Sequence, residues 1–186
     1  MQEELSWGNP YPYQVDPQDS SFIFSSDSGV NFFVYLADGS YYFPKYPALE
    51  GNVKTFGFDL RKPVTAEQGY DPRVKDTVTA ILKDILVNNK DLGLVYVCST
   101  KDNRHAGRSH LFAKWFGEAQ ANEAHADPEK RLHLSFMSIE IKGDTDQDTV
   151  FAGCIVRSDS QFCKLLMHAC ANFNTDLDDK TFSVEE

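Results

Sequence analysis

Short aromatic and β-branched runs, strand-like in length and in one case alternating, fill the first third of this chain; further on, apolar runs alternate with stretches of helical period. SFIFSS, residues 21–26, reads as a short strand. VNFFVYLADGSYYFPKY, 30–46, reads as a hairpin, with two aromatic and β-branched runs flanking Asp38-Gly39. VKTFGFDL, 53–60, alternates through Phe56, Phe58 and Leu60 and predicts a half-buried strand. YDPRVKDTVTAILKDILVNN, 70–89, is the clearest helix. Asp71 can cap it, Pro72 suits its first turn, and Val74, Val78, Ile81, Leu82, Ile85 and Leu86 share one face. Asn88 and Asn89 suit its end.

GLVYVC, 93–98, is a near-continuous apolar run, as in a buried parallel strand. A second helix is expected over 103–121, with Leu111, Phe112, Trp115, Phe116 and Ala119 on one side. RLHLSFMSIEI, 131–141, is a strand whose apolar phase slips between Phe136 and Met137. Such a slip predicts a bulge or burial on both faces. DTVFAGCIVRS, 148–158, should return antiparallel to it through KGDTDQD. A last helix, 158–173, would bury Phe162, Leu165, Leu166, Ala169 and Phe173. Strand–helix–strand crossovers require parallel neighbours and hairpins antiparallel ones. The expected fold is α+β: a single domain with a central mixed, largely antiparallel sheet flanked by about three helices.

The chain has 186 residues, which suits one domain. Residues 1–20, rich in Pro and Asp, read as an N-terminal extension of extended chain; 21–175 as the domain; 176–186 as an acidic tail. The net charge of -10 argues against nucleic acid and against an anionic membrane surface. No apolar run reaches the roughly 20 residues of a membrane helix. The first residues, MQEELSWGNPYPYQ, are too acidic and polar for a signal peptide, so a cytoplasmic protein is expected. Cys98, Cys154, Cys163 and Cys170 sit in apolar patterns without a C-x-x-C, which predicts reduced, buried thiols.

Against that acidic background, residues 95–116 carry Lys101, Arg104, Arg108 and Lys114 against Asp102 alone. At ~100° per residue, Arg108, Leu111 and Trp115 fall within about 40° of Arg104. The two arginines thus prolong the core-facing stripe into the first turns of the helix, at the end of the preceding strand. Ends of parallel strands bind ligands in open α/β sheets, and a helix N-terminus there offers unpaired N–H groups. Asp71 and Arg73 are expected at the same edge, with Asp71 as a cap. Two readings stay open. Lys101, Arg104, Arg108, Arg73 and Asp71 form a ligand site for a small anion or an acidic protein segment, or Arg108 pairs internally with Asp59 or Asp71. His105, His110, His125, His133 and His168 show no i, i+4 pair, so no metal site is expected. No G-x-S-x-G and no Gly-rich phosphate loop occurs, and no catalytic residue stands out.

The run YDPRVKDTVTAILKDIL followed by LVYVCSTKDNRHAGRSHLFAKWF resembles an uncharacterised bacterial family of domains of unknown function, through Y-D-x-R and R-x-x-L-F-x-x-W-F. That resemblance implies no activity. The element order, with Asn103, Ala106, Phe112 and WF at 115–116, is similar to the central part of GNAT acyltransferases. The GNAT resemblance implies an acyl-CoA ligand held by a Q/R-x-x-G-x-G/A loop ahead of the main helix. Here the corresponding loop, RKPVTAEQGYDPR, has one glycine and sets Asp71 at the cap, where its carboxylate would repel a phosphate. The expectation is therefore a binding or interaction module with no cofactor. The alternative is a divergent GNAT-like acyltransferase that lacks the usual pyrophosphate loop.

Overall fold

Alternating runs become seven strands: β1 (Tyr13–Val15), β2 (Phe22–Ser25), β3 (Asn31–Asp38), β4 (Val53–Leu60), β5 (Gly93–Cys98), β6 (Leu134–Ile141) and β7 (Val150–Arg157). The helical runs become α1 (Pro72–Asn88), α2 (His105–Ala124) and α3 (Cys163–Ala171). These come from a computed structural model that describes residues 8–61, 71–98, 105–124, 131–141 and 149–173. The strands form one sheet in the order β1-β2-β3-β4-β5-β7-β6. β4 and β5 run parallel, and every other neighbouring pair is antiparallel. Mixed α+β architecture is thus what the pattern predicts. The β4–α1–β5 crossover joins adjacent strands, whereas β7 is inserted between β5 and β6.

Side-chain alternation splits the core in two. Phe56 of β4, Leu94 and Tyr96 of β5 and Ile155 of β7 meet α1 and α2 through Ile81, Leu82, Phe112, Trp115 and Phe116. Val53, Val95, Cys154 and Val156 face the other way, onto Leu166 and Ala169 of α3 and onto Phe173 just past it. Each fully buried Val, Leu, Ile or Phe among them contributes about 1.5–3 kcal/mol. β5 is apolar throughout because it feeds both layers. The same division explains the slipped phase of β6. Leu134 and Phe136 pack on the α2 side, and Met137, Ile139 and Ile141 on the α3 side. Its register against β7 is continuous from Leu134↔Arg157 to Ile141↔Val150, so burial on both faces, not a bulge, accounts for the slip.

Four local expectations are corrected. Asp38-Gly39 closes no two-residue hairpin, because β3 pairs with β4 and not with 41–46. Residues 40–49 instead form two 3-10 turns, Ser40–Tyr42 and Pro47–Leu49. Pro44 and Pro47 lack ladder donors, and the turns bury Phe43 and Leu49 under the sheet. The third helix starts at Cys163, not 158, after a turn in which Asp91 binds Ser160 and Gln161. The lead-in is not all extension either, since Tyr13–Val15 pairs with β2 as the sheet's edge. The four thiols are free; Cys98, Cys154 and Cys170 are buried and Cys163 is half-buried, which corrects the expectation for that one. No helix among the described residues is long and apolar enough to cross a membrane.

Candidate functional site

Strands β4 and β5 separate. They pair only through Val53↔Gly93, Lys54↔Leu94 and Thr55↔Val95, yet β4 continues to Leu60 and β5 to Cys98. Past that point β4 stays on β3 and β5 stays on β7. A gap therefore opens in the middle of the sheet at the C-terminal ends of its parallel pair. Main-chain alternation fixes what faces it. Odd-numbered residues of β4 bond to β3, as in Gly39 N–H to Val53 O and Arg61 N–H to Asn31 O. Phe56 and Phe58 thus turn their main chain toward the gap. Gly93 bonds across to Asn52, so Val97, in phase with it, faces the gap from β5. Beyond the last pair, neither row has a strand partner on that side among the described residues.

Aromatic rings wall the gap. On the α2 face, Phe112 lies 5.7 Å from Phe56 and 6.3 Å from Phe58, and Trp115 lies 6.0 Å from Phe58. A cavity of about 170 Å³ sits at the β4 end, lined by Phe32, Phe58, Asp59, Leu60, Leu111 and Phe112. On the opposite face the Tyr35 phenol lies across Gly57, where a Cβ would stand 2.4 Å from its hydroxyl. Tyr35 is exposed, so this hydroxyl sits on an open rim.

The residues singled out from the sequence divide. Asp71 and Arg73 come together at the start of α1, and both serve the fold. Asp71 caps α1 by accepting the Arg73 N–H at 2.9 Å, and its other oxygen accepts the Tyr11 hydroxyl at 2.8 Å. The Arg73 guanidinium lies 3.8 Å from the Tyr11 ring centre, donates to Asn9 O at 3.0 Å and pairs with Asp27 at 3.0 Å. Asn9 and Tyr11 also donate to Asp76 and Thr77 of α1. Together these contacts clasp residues 9–13 to the first turns of α1. Arg73→Ala is expected to lower stability by about 1–2 kcal/mol, the sum of a stacked cation and its hydrogen bonds. It should also speed proteolytic cleavage within residues 8–16, read by mass spectrometry.

Lys101 and Arg104 lie outside the described residues. Arg108 is placed in the first turn of α2 by its backbone, and its side chain lies outside the description. Asp59, one internal partner considered for Arg108, lines the small cavity and accepts the Leu60 N–H at 2.7 Å.

Residues 70–170 match the model of a family described only as a family of unknown function, DUF6169. The chain belongs to that family. The DUF6169 match runs from α1 to α3 and leaves out β1–β4, so the gap lies at its border, with β5 inside and β4 outside. Neither the curated proteins nor the solved structures contain a match.

Sequence reasoning missed the gap and the residues on its edges. It had a partial signal in Gly57, a glycine inside an aromatic strand, which marks close approach of another group. The separation itself has no local signature.

Proposed function

We propose that this DUF6169 domain is a binding module that takes an extended, amide-bearing chain into the gap between β4 and β5. The observation that carries the reading is the parting of the parallel pair after Thr55↔Val95. Unpaired main chain on both sides suits a ligand that bonds as an added strand. An acidic protein segment fits best. Its amides would meet Phe56, Phe58 and Val97, and its carboxylates would meet the basic stretch of Lys101, Arg104 and Arg108 that follows β5. Electrostatic attraction to that stretch would speed encounter and weaken with salt.

Val97→Pro tests this directly. The Val97 N–H faces the gap and not β7, so proline removes no bond of the β5–β7 ladder. The variant is expected to stay folded by circular dichroism. It should bind fluorescein-labelled acidic octapeptides at least about tenfold more weakly than wild type, the effect of losing one or two hydrogen bonds. Unchanged affinity in the folded variant would sink the reading.

The second reading, which rests on the order of strands and helices, is an acyltransferase of GNAT type. A CoA diphosphate does not fit the start of α1. The Asp71 carboxylate already takes the Arg73 N–H there, Pro72 supplies no N–H, and Tyr11 covers the carboxylate. The acceptable ligand under this reading is a pantetheine thioester without a diphosphate contact at α1. S-acetylpantetheine would then raise the unfolding midpoint as much as acetyl-CoA does.

A further inference from the structure

The sheet ends in two edges of unlike kind, β1 with 3 residues and β6 with 8. β1 is blunted by its length, by Pro12 ahead of it and by the turn at Asp16, whose N–H donates to Ser21 O at 2.7 Å. β6 carries no such guard. Its sequence, LSFMSIEI, holds no Pro, Lys or Arg, and Glu140 is its one charge. Its register with β7 is continuous, so no bulge turns it away from a neighbour. A long, flat, apolar edge of this kind pairs with another strand unless something covers it.

Main-chain alternation fixes which groups face out. Ser158 N–H donates to His133 O at 2.8 Å, so the odd-numbered residues of β6 bond to β7 and the even-numbered ones turn outward. At Leu134 the outward row is closed, because the Gln120 side-chain amide of α2 donates to Leu134 O at 2.9 Å. The open row is therefore Phe136, Ser138 and Glu140. Their outward main chain has no partner among the described residues.

Those three positions are self-complementary. A twofold axis through Ser138 sets two antiparallel copies of β6 with Ser138 against the partner's Ser138 and Phe136 against the partner's Glu140. Every outward N–H then meets an outward C=O, about six hydrogen bonds in all. An axis at Met137 would instead draw in Leu134, whose carbonyl Gln120 already holds. The side chains agree with the axis at Ser138. On the α3 side, Met137 meets the partner's Ile139; both positions are half-buried at the margin of the core. On the α2 side, Glu140 lies opposite the partner's Phe136, so the two acids stay apart. We propose that β6 is a dimerisation edge, where a second copy of this chain pairs antiparallel about Ser138 and joins two seven-stranded sheets into one. This interface is independent of the gap between β4 and β5.

Sedimentation equilibrium of the full chain tests it. The wild type is expected to reach twice the 21.0 kDa of one chain. That mass should appear between about 1 and about 200 µM, the range of a modest interface. Ser138→Pro removes an outward N–H and no bond to β7. The variant should stay folded by circular dichroism and dimerise at least about tenfold more weakly. Ser138→Lys and Ser138→Glu, at an exposed position, give the second check. Each alone sets like charges directly opposite one another and should weaken the dimer. Mixed, the two should form a heterodimer in preference to either homodimer. Three results each overturn the proposal: a wild type still monomeric at about 200 µM, a folded Ser138→Pro variant that dimerises as wild type does, or Lys and Glu variants with no preference for each other.

Discussion

Glu123→Ala is expected to lower the thermal midpoint by roughly 6–20 °C, from a loss of about 3–5 kcal/mol at about 2–4 °C per kcal/mol for a chain of this size. Glu123 is buried near the end of α2, with a side chain 6% exposed, and pairs with Lys83 of α1 at 2.8 Å. Its other oxygen accepts the buried Leu132 N–H at 2.7 Å. One carboxylate thus ties α1, α2 and the approach to β6. Alanine withdraws it from a half-buried cation and a buried amide together, and the amide cannot turn to water. Replacing both ends, as in Lys83→Met with Glu123→Leu, should recover much of the loss, because the pair's net worth is small and its breakage is what destabilises. Differential scanning calorimetry on the single and double variants checks both statements. A single variant within 2 °C of wild type would show that water or another group reaches this pair.

The second large effect is Gly153→Ala. The new methyl would stand 2.5 Å from the Tyr96 ring. That ring is 2% exposed and held by Phe56 and Phe112, so it cannot swing aside. Overpacking of this kind costs about 1–3 kcal/mol, or a midpoint lower by about 2–12 °C. Two other glycines give the contrast. Gly57→Ala meets Tyr35, which is exposed and free to move outward, so the loss should be smaller. Gly107→Ala, in open space on α2, should stabilise slightly, since alanine favours the helix by roughly 0.5–1 kcal/mol. The order of midpoints, Gly107→Ala above Gly57→Ala above Gly153→Ala, is the measurable outcome. A reversed order would mean that the phenol does not lie over Gly153.

Much of the architecture could be read from the chain. Asp71-Pro72 marks the start of α1 because a carboxylate cap and a residue with no N–H are what a first turn accepts. Helical spacing names the buried faces of α1 and α2, and alternation marks β4. Reading failed where a residue's partner is distant. Asp38-Gly39 has hairpin chemistry, but the flanking aromatic run does better by burying Phe43 and Leu49 against α3's layer than by pairing with β3. The contacts by which Arg73 clasps the lead-in leave no local trace, because Asn9, Tyr11 and Asp27 are more than forty residues away along the chain.

By itself, the sequence determined β2–β7 and the three helices in their order, and which face of α1 and α2 is apolar, since those depend on neighbours within a few residues. Only the tertiary structure decided that β4 and β5 part after three pairs, that β7 enters between β5 and β6, and that the Tyr96 ring is buried over Gly153. The reason is physical: backbone pairing and hydrogen-bond satisfaction are settled by which distant groups meet, and local period carries no record of that meeting.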